Sequence, residues 1–237
     1  MIDDRITAFD REIWANELEN FVPGRVFDAH SHIWDERFAT AATPESGLRL
    51  NCGLAELQAW GRNVFPGREM HFFLLATPLP AIRQPEYRDW CAAEGRRDPA
   101  SAVAAIAAPD IAPEELIRTA AHGSLRGLKP YRCYAPDPDT CGIRDFLPEA
   151  LIEAADHLGM VIVLHLSKRD GIADEGNLRD LDYFTRRYPN VTWQLAHCAR
   201  AFNPVFLEKS IHRLKHLDHI CYDISAVCES HTLALLL

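Results

Sequence analysis

The chain has 237 residues, a net charge of −9 and 48% hydrophobic residues, enough to bury a sizeable core. The acidic balance, with no clustered Lys and Arg, argues against a nucleic-acid partner, and no run is long and apolar enough to span a bilayer. Seven scattered cysteines form no Cys-x-x-Cys pair, and Met1-Ile2-Asp3-Asp4-Arg5 lacks the layout of a secretion signal; a reducing cytoplasm without a disulfide framework is expected.

Residues 1–24 read as one amphipathic helix, with Ile6, Phe9, Ile13, Trp14 and Leu18 at helical spacing and a stop at Pro23-Gly24. This N-terminal element is expected to pack outside the 25–237 domain or to cover its base. From residue 25 onward, short β-rich runs alternate with helix-like segments. The predicted strands are Val26–His30, His71–Thr77, Ala102–Ala107, Gly127–Tyr131, Val161–Leu166, Val191–His197 and Ile220–Val227. After the first of them comes an insertion, 35–68, with a helix at Leu54–Trp60; it either caps a pocket or makes an oligomer contact such as a homodimer. Pro113 with Glu114 and Glu115 suits a helix first turn. Phe146–Leu158 stops on Gly159, Gly176–Tyr188 ends before Pro189, and Asn203–Leu217 opens on Asn-Pro.

Seven strand-then-helix units imply parallel strands joined by right-handed crossovers. Val161-Ile162-Val163-Leu164 is apolar without alternation, as strands covered on both faces are. A dinucleotide-binding sheet should carry a glycine-rich loop after its first strand, but Ser31-His32-Ile33-Trp34 follows here. An α/β fold of the TIM (β/α)8-barrel type is therefore expected, truncated after about seven strands, because the eighth unit is not legible before Leu237.

Chemistry concentrates at predicted strand ends. In Phe27-Asp28-Ala29-His30-Ser31-His32, strand alternation sends His30 and His32 to one face, where two neutral imidazoles can reach one divalent ion. Asp28 shares their parity and could act as an acceptor behind them. His165 and His197 end two later strands on the rim where barrels build active sites. A lone His-x-His is a weak motif; four imidazoles on three strand ends are harder to explain as packing. His122, His157, His212 and His216 lie in helices or turns and are taken as solvated, as are His71, His219 and His231.

These residues resemble the amidohydrolase superfamily, in its amidohydrolase-related branch of hydrolases and nonoxidative decarboxylases. The resemblance rests on Phe-Asp-Ala-His-Ser-His at 27–32, Gly-Leu-Lys at 127–129, Leu-His-Leu at 164–166, Leu-Ala-His at 195–197 and Tyr-Asp-Ile-Ser-Ala at 222–226. It implies that His30, His32 and His165 bind a divalent ion, often zinc, and that His197 acts as electrophile or proton-handling residue. It also implies a strand-8 aspartate as general base, and the sequence stops before any such strand; Asp223, one strand earlier, is not promoted to that role.

Lys129 is carbamylated in two-metal relatives; here a salt bridge to Asp28 or a hydrogen bond to substrate is favoured, with one metal ion. Tyr131, Arg132, Tyr134, Lys168, Arg169 and Arg200 line the same rim, which suggests a carboxylate-bearing small molecule; ordinary solvated loop charge is the alternative. The leading expectation is a metal-dependent hydrolase that turns activated hydroxide on an amide, lactone or ester. The alternatives are a carboxy-lyase using the same site and a non-catalytic fragment.

Overall fold

A computed structural model describes residues 6–38, 51–78, 84–121 and 123–237. Residues 39–50 of the 35–68 insertion, expected to cap a pocket or make an oligomer contact, lie outside these residues, as does His122. By internal contacts the chain divides into two compact units, Met1–Val103 and Ala104–Leu237. Among the described residues no helix is long and apolar enough to cross a membrane.

In the first unit the N-terminal helix is shorter than its apolar spacing predicts. It runs Ala8–Ile13, capped by Thr7, and then loosens into a π-helical turn over Trp14–Leu18. Phe9 stays 67% exposed, so the expected apolar face is not buried along its length. Trp14 is the anchor: its ring lies 6.0 Å from that of Phe65 and under the Arg68 guanidinium at 5.0 Å. The strand β1 (Arg25–Asp35) pairs parallel with β3 (Glu69–Ala76) and, at its far end, antiparallel with the two-residue β2 (Asn51–Cys52). Ile33, Phe72, Leu74 and Leu75 bury fully in this sheet.

Helices at Leu54–Val64 and Gln84–Arg96 complete the unit. Tyr87 on the second ties the strand ends together. Its hydroxyl donates to the Ile33 carbonyl at 2.6 Å and accepts from Thr77 N at 2.9 Å. Glu94 accepts from Leu54 N at 2.8 Å, which answers a helix-start donor that would otherwise be buried unpaired. A Cβ on Gly53 would meet that carboxylate at 2.7 Å, so glycine there permits the close approach.

The strand β4 (Ala102–Ala107) matches its predicted span and carries the boundary between the units. In the second unit β5 (Leu125–Pro130), β6 (Val161–Leu164), β7 (Thr192–Leu195) and β8 (Ile220–Tyr222) pair in parallel in chain order. Their crossovers carry helices at Ile143–Phe146, Glu149–His157, Glu175–Arg187 and Pro204–Leu214. The helix predicted over Phe146–Leu158 is split because Pro148 drives Leu147 into extended backbone (φ −129°, ψ 91°). The last three strands end two to five residues before their predicted ends, and the released residues carry the chemistry described next.

Candidate functional site

Each unit holds its own cluster of predicted residues. In the first, β1 departs from regular pairing between Asp28 and Ser31, where the register against β3 shifts. A bulge re-aims side chains locally. Asp28 Oδ1 braces it by accepting the backbone N–H of His30 at 2.9 Å, so this carboxylate serves the main chain at the bulge. His30 and His32 converge, with Nε2 atoms 3.3 Å apart and ring centroids 5.1 Å apart. Two nitrogens held at about 2.0–2.1 Å from one tetrahedral zinc would lie roughly 3.4 Å from each other. The pair has the separation a shared divalent ion requires.

In the second unit His165 follows β6. Its Nδ1 lies 3.1 Å from the Leu166 carbonyl, and a carbonyl only accepts, so Nδ1 carries the hydrogen and Nε2 the lone pair. Burial, then the charges of Lys129, His197, Arg200 and Arg132, push its pKa down to about 3. The ring is a neutral imidazole throughout the physiological range. His197 stands edge-to-face with it, centroids 5.2 Å apart.

His197 does not end a strand, as predicted; β7 stops at Leu195. Residues His197, Cys198, Ala199 and Arg200 instead form a left-handed turn with φ between 52° and 60°, and none is glycine. Left-handed backbone costs about 1–2 kcal/mol per non-glycine residue, so something must hold it. Asp223, just past β8, is the holder. Its Oδ1 accepts His197 N at 2.9 Å, Ser225 N at 3.2 Å and the Ser225 hydroxyl; Oδ2 accepts Gln194 Nε2 at 2.8 Å; its carbonyl accepts Cys198 N at 2.7 Å. The small side chains of Cys198, Ala199 and Ala201 are fully buried, which larger ones could not manage in so tight a turn. Ser225 also faces the ring: its carbonyl oxygen and its Oγ each lie 2.9 Å from His197 Nδ1. Ser225 and Gln194 were missed in the sequence; only the Asp-x-Ser spacing hinted at the former.

Lys129, next to last in β5, is fully buried, its Nζ donating to the Val163 carbonyl at 3.3 Å and lying 5.1 Å from the Tyr131 ring. Burial lowers its pKa to about 7 against the opposing pull of Asp223. The rim cations are partly engaged within the unit. Arg132 donates to the Pro138 carbonyl at 2.8 Å and to Asp139 at 2.9 Å; Lys168 binds Asp174 at 2.7 Å; Arg169 is exposed. Arg200 donates to the carbonyls of Leu166 and Lys168. Its pKa is lowered, chiefly by burial and then by the charge of Arg132.

One histidine differs from its predicted solvated state. His71 is nearly buried between Asp98 (2.8 Å) and Glu69 (3.2 Å), because β3 places it on the covered side of the sheet. His231 is exposed, as predicted, and pairs with Glu208 at 2.8 Å on the surface. His157, His212, His216 and His219 are exposed, as predicted.

Residues 27–235 match the sequence pattern of the amidohydrolase family. No curated protein sequence matches the chain. Among solved structures the chain is similar to a probable 2-pyrone-4,6-dicarboxylic acid hydrolase from Acinetobacter baumannii with citric acid bound (TM-score 0.61, 13% identity, 89% of this chain and 78% of that chain covered). It is also similar to a 2,6-dihydroxybenzoate decarboxylase complexed with 2,6-dihydroxybenzoate (TM-score 0.56, 14% identity, 88% and 83% covered). These likenesses establish the fold, an α/β barrel type as its strand–helix alternation predicts.

Proposed function

The chain belongs to the amidohydrolase family, and from that membership we propose a metal-dependent hydrolase that cleaves an amide, lactone or ester bond of a small, carboxylated substrate. The observation that carries this reading is the state of His165. Its Nδ1–H is committed to a backbone carbonyl and its ring is held neutral, the arrangement that metal-ligating histidines use. We assign His30, His32 and His165 to one divalent ion; an all-imidazole donor set suits zinc. When bound, such an ion supplies a Lewis acid for the scissile carbonyl and brings the pKa of water toward neutrality.

The remaining roles fall to the chain's own groups. His197 stabilises the charge developing on the attacked carbonyl oxygen or moves its proton, and Lys129, buried and close to neutral, hydrogen-bonds the substrate. Tyr131, Arg132 and Arg200 orient a substrate carboxylate. Support for that class comes from Arg200, whose pKa is lowered by burial and then by Arg132; an anion received between two such guanidinium groups would relieve their repulsion. The citric acid held by the Acinetobacter structure supports the same class.

The fold likeness to a decarboxylase supports a second reading, a carboxy-lyase that protonates a ring carbon after carbon dioxide departs. Purified chain supplied with zinc should be tested on matched panels of carboxylated lactones, amides, esters and hydroxybenzoates. Saturable ring opening with uptake of one water is expected. Carbon dioxide release without net water addition would sink the hydrolase reading and establish the other.

A further inference from the structure

We propose that Asp223 and Ser225 are positioning residues that commit His197 to the tautomer with hydrogen on Nδ1, leaving Nε2 as the nitrogen that takes up or delivers a proton. The assignment rests on which atoms can donate. The Ser225 carbonyl lies 2.9 Å from His197 Nδ1 and can only accept. The Ser225 hydroxyl lies at the same distance, but its hydrogen is spent on Asp223 Oδ1, so it too presents a lone pair to the ring. Two acceptors facing one nitrogen place the hydrogen on that nitrogen in every protonation state of the ring. Neutral histidine free in water favours the opposite form, with hydrogen on Nε2. The loop after β8 therefore reverses the intrinsic preference.

Asp223 makes this possible by holding both partners at once. One oxygen takes the main-chain N–H of His197 and both donors of Ser225, which fixes the ring's attachment point and the acceptors in one frame. Gln194 on β7 pins the other oxygen, so the carboxylate cannot rotate away. The left-handed turn is the consequence: it brings the His197 ring over the Ser225 carbonyl, which the continued strand would not do. That His197 then handles a proton of the reaction rests on the activity proposed above; the tautomer does not.

Long-range proton–nitrogen correlation spectra of the full chain, labelled with nitrogen-15 histidine, read the tautomer directly. His197→Gln identifies the signals by their loss. Wild-type His197 is expected as the Nδ1–H form, and Nε2–H in wild type would overturn the proposal without any variant. Asp223→Ala is expected to return His197 to Nε2–H; an unchanged spectrum would overturn the role of Asp223. Should Asp223→Ala fail to fold, Ser225→Ala keeps the carbonyl and is expected to give a mixture of forms that Ser225→Thr reverts, and a pure Nδ1–H signal in Ser225→Ala would count against the hydroxyl. In an active chain Asp223→Ala should lower kcat about 10- to 100-fold with KM little changed, as loss of a ligand-orienting partner does elsewhere. The stated tautomer in a chain that turns over no panel substrate would refute the proposed activity and leave this assignment standing.

Discussion

The Nε2 atoms of His30 and His32 face each other at 3.3 Å across a single intervening serine. At that distance either one ring donates its Nε2–H to the other, or both present lone pairs and a shared cation takes up both. The bulge braced by Asp28 sets this convergence, since it re-aims the strand between Asp28 and Ser31.

Stoichiometric divalent metal is accordingly expected in the purified chain, measured by elemental analysis after dialysis. His30→Ala and His165→Ala should each weaken retention at least about 10-fold. Wild-type content far below one ion per chain would count against the ligand assignment.

Lys129→Met should raise stability at neutral pH while abolishing turnover. The buried amine has its pKa lowered from 10.5 to about 7, so the unfolded chain binds more protons between these values. Stability of the wild type therefore rises with pH from about 7 to 10.5, and below that window the folded chain bears the full cost of a buried ammonium, on the order of a few kcal/mol. Urea unfolding at pH 7 and pH 9.5 should show this slope in wild type and a flatter one in Lys129→Met. Equal slopes would mean the amine is already solvated.

Asp98 supplies the acid-side counterpart. Burial raises its pKa, but hydrogen bonds from Ser101 and His71 outweigh that and leave it lowered. Its contribution is thus present above the unfolded carboxylate value and lost as pH falls through the lower folded value. Asp98→Ala, which strands His71 and Ser101, should cost about 1–3 kcal/mol at pH 7 and little at pH 2. A variant as stable as wild type at pH 7 would show the cluster to be idle.

Gly171→Ala tests the loop beside Arg200. Gly171 has φ +51°, and an added Cβ would lie 3.4 Å from both the Cβ and the carbonyl oxygen of Arg200. Gly159, at φ +61° with nothing within 4 Å, is the control for backbone strain alone. Both substitutions should cost about 1–2 kcal/mol from left-handed backbone, and because a Cβ at 3.4 Å is ordinary van der Waals contact the two losses should be alike. Urea unfolding checks this: a loss in Gly171→Ala well beyond that in Gly159→Ala would show that the added Cβ does displace Arg200.

Where apolar pattern and burial coincide, the sequence was a good guide. Ala102–Ala107 is a strand over its predicted span, and the strand around Val161–Leu164 needed only trimming. The four histidines stand out by residue type at predicted strand ends, although His30 and His32 lie inside β1 and His197 in a turn beyond β7. The helix Gln84–Arg96 escaped notice because its charged residues mask the buried side of Tyr87 and Cys91. The left-handed turn had no signal at all: no Gly or Asn marks it, since hydrogen bonds from a distant carboxylate, rather than local propensity, hold it. His71 was misjudged for the same reason, its partner Asp98 being 27 residues away.

The bond from His197 N to Asp223 spans 26 residues of chain. Contacts so distant in sequence close late, after the intervening segments have ordered. The strands before it can assemble while the turn is still relaxed, and His197 reaches its working position only when β8 docks. Competence would thus arrive as one of the last events of folding, and amide exchange at His197 and Cys198 should report the docking of β8 rather than the stability of β7.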